Sequence, residues 1–167
     1  MGTRPRIKLE LTNYDRLFET LGWSILLTLW IFTVTNYYNL PETIPTHFNG
    51  AGHIDSFGSK FTIFLLPIIG TILFIGMTLL NNFPHIFNYP TNITADNALE
   101  QYTNATKLIR YLKLILVVIF TIITYMIIRT TKGLSDGLGV WFLPLTLGLI
   151  FIPVIYYTIK SIKNYKL

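Results

Sequence analysis

No cysteine occurs anywhere in the chain, which excludes disulfide staples, thiolate metal sites and a cysteine nucleophile. Charge is scarce too: 13% of the 167 residues are charged, about half the roughly one quarter usual in soluble domains. Acidic residues are the rarer sign, 8 against 13 basic, for a net charge of +5. A Walker loop, a dinucleotide glycine fingerprint and the His-Glu-x-x-His zinc motif are all missing, so the common cofactor chemistries have no support. Nor do basic and aromatic residues interleave in a way that points to nucleic acid.

What fills the space is apolar: 51% of the residues, at a mean hydropathy of +0.51. Four runs stand out, at residues 21–37, 61–80, 114–128 and 140–159. At 1.5 Å per residue, about 20 residues cross a hydrocarbon core of roughly 30 Å. Lys113 and Arg129 bracket the third run, where long stems can carry their charges out to the headgroups. The pattern predicts an all-α integral membrane protein, one domain over residues 1–167, built as a four-transmembrane-helix bundle. Its spans fall near 18–37, 61–80, 110–129 and 139–159, with connections at 38–60 and 81–107. The first run is too long for a signal-peptide core and lacks a small-residue cleavage site, so it is expected to stay as an anchor.

Lysine and arginine set the orientation, because basic residues near span ends are retained in the cytoplasm. Arg4, Arg6, Lys8 and Arg16 precede the first span; Lys107, Arg110 and Lys113 lie in or near the second connection; Lys160, Lys163 and Lys166 close the chain. The first connection offers Lys60 and the third Arg129 and Lys132. Both termini are therefore expected inside, the 81–107 connection cytoplasmic and the 38–60 loop extracytoplasmic, in the cytoplasmic membrane. The bilayer is the first partner this implies.

Within the spans, Glu19 follows Arg16 by three residues, a spacing that permits a helical ion pair. Pro67, Pro144 and Pro153 can kink their helices, and Gly70, Gly76 and Gly148 permit close contacts. In the second connection, Thr94 or Asp96 can cap a helix, as can Asn97 with Glu100, and that helix can run through Tyr102, Lys107 and Arg110 into the third span. His85 reads as an interfacial polar residue beside Pro84.

The stretch LPETIPTHFNGAGHIDSFGSK, residues 40–60, is polar and rich in turn formers. It predicts an ordered lid of turns with a short hairpin around Asn49-Gly50. Phe48, Ile54 and Phe57 are spaced to dip into the bundle or the interface. Three readings stay open for its polar residues. His47 and Asp55 with Glu42 can bind a divalent metal through imidazole nitrogen and carboxylate oxygen. His47, Asn49 and Asp55 can satisfy loop backbone, with Lys60 pairing Asp55 or anchoring the second span. The loop can also be a recognition surface for an external ligand.

The same stretch resembles the signature of a bacterial membrane family, the domain of unknown function DUF1648. The matching positions are Leu40, Pro41, Ile44, Pro45, His47, Phe48, Asn49, Gly52, Asp55, Gly58 and Lys60. The segment FNYPTNITADNALEQYTNATKLIRYLK is similar to the one that follows the second span in that family. The resemblance implies a relation to the N-terminal part of Sdp-type immunity proteins, which protect a producing cell from its own secreted peptide toxin. On that basis the expected function is non-enzymatic: sensing or neutralising an extracytoplasmic peptide or lipid ligand through Pro45, His47, Phe48, Asn49, Gly52, Asp55, Gly58 and Lys60. A metal-dependent membrane enzyme using His47, or an accessory subunit of a membrane complex, are the alternatives.

Overall fold

The computed structural model describes residues 4–163, so Lys166 lies outside the described residues. Helix α1 is Asn13–Tyr37, strands β1 and β2 are Thr43–Phe48 and Ile54–Ser59, and a 3-10 segment Lys60–Phe64 leads into α2, Leu65–Leu80. Helices α3, Ala98–Thr131, and α4, Phe142–Lys163, complete the order after a short 3-10 turn at Pro84–Ile86. By length and composition four helices can cross a membrane: α1, α2 with its 3-10 entry, α3 and α4.

One boundary moves from the sequence expectation for a local reason. Thr12 caps α1 in a capping box, its hydroxyl accepting from Asp15 N at 3.3 Å while Asp15 Oδ2 accepts from Thr12 N at 2.9 Å. The helix therefore starts at Asn13, ahead of the apolar run. Thr12→Ala should cost about 1 kcal/mol, read as a lower melting temperature of the detergent-solubilised chain. Helix α3 has 34 residues, about 50 Å, and runs through Tyr102, Lys107 and Arg110 into the third apolar run, the continuous helix expected from the sequence. Asn97 stands at its N-cap without a side-chain cap bond; its Oδ1 accepts from Thr94 N at 2.9 Å, so Thr94 and Asn97 close a turn and no Asn97-Glu100 box forms.

The helices share the core unequally. Helix α3 is central, packing against α1, α2 and α4, whereas the apolar window of α4 buries nothing. One cluster joins Leu26, Phe74 and Val117, and Gly22 lets the Phe74 ring in: a Cβ there would meet Cε2 at 2.6 Å. Gly70 likewise admits Phe120, while Gly76 has nothing within 4 Å. Pro67 and Pro144 fall in the first turns of α2 and α4, where a proline breaks no bond; Pro153 is inside α4. The second cluster unites Leu40, Ile44, Ile63, Ile127 and Ile128, which seats β1 on the C-terminal part of α3. The fold is thus mostly helical, and its ordered loop carries a two-stranded sheet, the short hairpin expected around Asn49-Gly50.

Glu19 does not pair with Arg16, nor does Lys113 snorkel. Lys113 is fully buried, with Nζ 2.6 Å from both Glu19 Oε2 and Thr78 Oγ1 and 4.5 Å above the Phe74 ring. Arg110 joins them, with Nη1 3.3 Å from Asp15 Oδ1 and Nε 3.3 Å from Glu19 Oε1. A charge inside a helix bundle is tolerable when paired this way, so two carboxylates of α1 lock two cations of α3. Arg129 does behave as an end residue, donating to Tyr125 Oη and Leu134 O.

Candidate functional site

Strands β1 and β2 pair antiparallel in the register Thr43 to Ser59, Ile44 to Gly58, Pro45 to Phe57, His47 to Ser56 and Phe48 to Ile54. Thr46 and Asp55 have no partner in that register, so each strand carries an irregularity beside His47. Such a bulge bends the strand and re-aims a side chain. Here it brings His47 Nδ1 to 2.5 Å from Asp55 Oδ1, with the side chains 68% and 40% exposed. Against the Asp55 carboxylate, Nδ1 is the donor, which leaves Nε2 of an oriented imidazole for a ligand.

The turn from Asn49 to His53 is tied by its own asparagine. Asn49 Oδ1 accepts from Ala51 N and His53 N at 2.9 and 3.1 Å, and Asn49 N donates to His53 O at 2.8 Å. The left-handed residue is Gly52, at φ 79°, and not Gly50 of the Asn-Gly pair. Gly52 O accepts from Leu138 N at 2.8 Å, and His53 bridges Gly137 antiparallel, so the third connection clasps the hairpin tip. Only bare glycines fit this clasp: a Cβ on Gly137 would lie 2.0 Å from Gly52 O, and one on Gly52 2.5 Å from the Gly139 backbone.

The other expected residues divide into support and pairing. Pro45 is buried and Phe48 half-buried against the Ile44 cluster; Gly58 lies under Thr46, whose Cγ2 would be 2.9 Å from an added Cβ. Phe57 stays exposed. Lys60 pairs with Glu42, not Asp55, at 2.9 Å, and its ammonium lies 5.3 Å from the Tyr37 ring centroid. His47 and Asp55 are thus together, while Glu42 is engaged by Lys60. Among the described residues no three His, Cys, Asp or Glu gather as a metal-ligand group.

Two cavities flank the imidazole. One, of about 350 Å³, runs between β1 and helices α2 and α3 and is lined by His47, Phe48, Ile63 and Ile127. The other, of about 340 Å³, lies between the hairpin turn and the start of α4 and is lined by His47, Asn49, Gly139 and Leu143. Leu138 and Phe48 form part of both walls. The site can therefore offer a polar contact at His47 and apolar room on either side of it.

Sequence reasoning misses the half of this site supplied by the third connection. Its signal is the glycine spacing of KGLSDGLGV, which holds Gly133, Gly137 and Gly139 at positive φ. The same stretch spells Gly-x-Ser-x-Gly over residues 133–137. It is not a nucleophile elbow, because it follows a helix instead of a strand and Ser135 Oγ donates to Gly137 O at 2.9 Å.

Residues 24–71 match the family model described as "Domain of unknown function (DUF1648)". That segment carries the carboxy-terminal part of α1, the whole hairpin and the first turns of α2. An uncharacterized protein of Archaeoglobus fulgidus is 34% identical over 88 residues, 48% of this chain and 48% of the relative. The match thus spans about half the length of that relative. No solved structure matches.

Proposed function

We propose that this chain is a non-enzymatic multi-pass protein of the cytoplasmic membrane whose hairpin recognises an extracytoplasmic peptide or lipid. The observation that carries the reading is the His47–Asp55 pair, exposed although its hairpin is seated in the core, with an apolar cavity on each side. With side chains this exposed the pair contributes little to stability in water, so fastening the hairpin does not account for it. A rigid platform with an oriented imidazole suits an amphipathic ligand, whose polar group meets Nε2 while an apolar group enters beside Phe48. The lysine and arginine distribution supports placing both termini inside and the hairpin outside. The resemblance of the 40–60 signature to the N-terminal part of Sdp-type immunity proteins suggests toxin sensing or immunity as the biological setting.

The test is protection. Cells expressing the parent, His47→Ala, Asn49→Ala or Asp55→Asn at equal membrane abundance are challenged with a panel of secreted membrane-active peptides. The reading expects the parent to protect against at least one peptide, and His47→Ala and Asp55→Asn to lose that protection. Equal protection by all three variants would remove the hairpin from the function.

A further inference from the structure

A cavity of about 520 Å³ opens between α1, α3 and α4, where α1 begins and α4 ends. Tyr14 and Phe18 of α1, Lys107 and Tyr111 of α3, and Tyr156 and Tyr157 of α4 line it. Helix α4 packs chiefly on α3, so the space between α4 and α1 stays open. On that side Tyr14, Ile152 and Tyr156 are 74%, 69% and 59% exposed, and the apolar window of α4 buries nothing. In a membrane the cleft therefore faces lipid along α4. Lys107 and Tyr111 stand just before the third apolar run at residues 114–128, which sets the cleft at headgroup depth.

The polar groups of the cleft divide into those already paired and those left free. Asp15 Oδ1 lies 3.3 Å from Arg110 Nη1, and Asp15 Oδ2 accepts from Thr12 N at 2.9 Å, so this pair is closed. Lys107 is half-buried and, among the described residues, its ammonium meets no carboxylate, carbonyl or hydroxyl. The hydroxyls of Tyr14, Tyr111, Tyr156 and Tyr157 have no hydrogen-bond partner there either. Their rings are nonetheless packed, Tyr111 on Phe18 with centroids 6.4 Å apart and Tyr156 on Tyr157 at 5.3 Å. None of these free polar atoms is sealed inside the chain, so a molecule in the cleft can reach them. An interfacial aromatic belt spreads its tyrosines around a bundle. Here three helices gather four of them beside one ammonium.

One cation with several hydroxyl donors matches an anion of single charge and several oxygens, which describes a phosphodiester. Phe18, Ile152 and Pro153 add apolar wall suited to the chains that such a headgroup carries. The lining carboxylate, Asp15, is held by Arg110, so a zwitterionic headgroup finds no acceptor for its own cation. We propose that this cleft binds an anionic phospholipid, with its phosphodiester against Lys107 and the tyrosine hydroxyls and its acyl chains along α4. The site lies apart from the hairpin and does not depend on what the hairpin recognises.

The experiment follows the melting temperature of the full chain in a neutral detergent while dioleoyl phosphatidylglycerol or dioleoyl phosphatidylcholine is titrated. Binding to the folded state raises the melting temperature by mass action. The expected result is a saturable rise at which phosphatidylglycerol binds about tenfold more tightly than phosphatidylcholine, the worth of one charge-assisted contact. Lys107→Gln should melt like the parent without lipid and lose that preference. Lys163→Gln removes an equal charge from an exposed position outside the cleft and should keep it, because diffuse attraction to a basic end would fall alike in both variants. The double variant Tyr111→Phe, Tyr157→Phe keeps both rings, removes two donors and should also weaken phosphatidylglycerol binding. Equal affinity for the two lipids, no saturable rise with either, equal effects of Lys107→Gln and Lys163→Gln, or parental affinity in the double variant would overturn the proposal.

Discussion

Lys113→Met lowers the unfolding free energy of the detergent-solubilised chain by roughly 3 kcal/mol, the low end for breaking a buried ion pair from one side. Methionine keeps most of the stem's packing against Phe74 but removes the ammonium that both Glu19 and Thr78 hold at 2.6 Å. What remains is Glu19 with a single poorly aimed contact to Arg110. The low end is the appropriate one because the Glu19 side chain is 21% exposed and keeps some water. If the cost arises from the stranded carboxylate, removing that charge as well must return much of it. The double variant Lys113→Met, Glu19→Gln should therefore recover more than half of the loss, an interaction that a double-mutant cycle measures directly. A single variant that melts with the parent, or a double variant showing simple additivity, would mean that the charge network does not fasten α1 to α3.

Gly137→Ala is the second large effect, costing roughly 2–4 kcal/mol from the left-handed backbone and the steric overlap together. Gly137 sits at φ 144°, and an added methyl would lie 2.0 Å from Gly52 O, the atom that accepts from Leu138 N. Backbone is in the way, so no side chain can swing aside. Gly133 provides the internal control, having φ 70° but nothing within 4 Å of a Cβ. Gly133→Ala should cost only the backbone part, about 1–2 kcal/mol. The two variants should also differ in hydrogen exchange: the Leu138 amide should exchange much faster in Gly137→Ala and at nearly the parent rate in Gly133→Ala. Matching costs and matching exchange would show that the clasp adds nothing to the hairpin's placement.

The four long apolar helices were legible because runs of roughly 15–20 apolar residues without charge admit few other structures, and the residues 40–60 signature was legible because prolines, glycines and an Asn-Gly pair favour a turn-rich segment. The same local reasoning fails where the deciding contact is distant in sequence. Glu19 has Arg16 as a neighbour, yet it bonds Lys113, 94 positions away. Burial makes the unpaired alternative too costly for Lys113, and that cost is invisible until α1 and α3 are known to face each other. Likewise Lys60 has two acidic candidates in its own loop; the strand register places Glu42 next to it and sends Asp55 to His47. Bulges cannot be read from an alternation of residue types, so a one-residue slip exchanges the pairings. The polar helix leading into the third apolar run was legible from its capping residues, whereas its partners were not: Gln101 bonds Ser161 and Lys160 bonds Asn104, 60 and 56 positions apart.

The recognition role proposed for the hairpin is tested most directly by melting the purified parent and His47→Ala side by side, alone, with each divalent metal, and with each peptide of the challenge panel. An exposed pair contributes at most about 1 kcal/mol, so without additives the two should melt within about 2–4 °C of one another. The account predicts that a peptide able to elicit protection raises the melting temperature of the parent and leaves His47→Ala unmoved, with metals inert toward both. A shift with one metal in the parent alone would assign the imidazole to metal binding instead. A variant that melts far below the parent in every condition would make His47 a structural fastening of the hairpin and contradict the account.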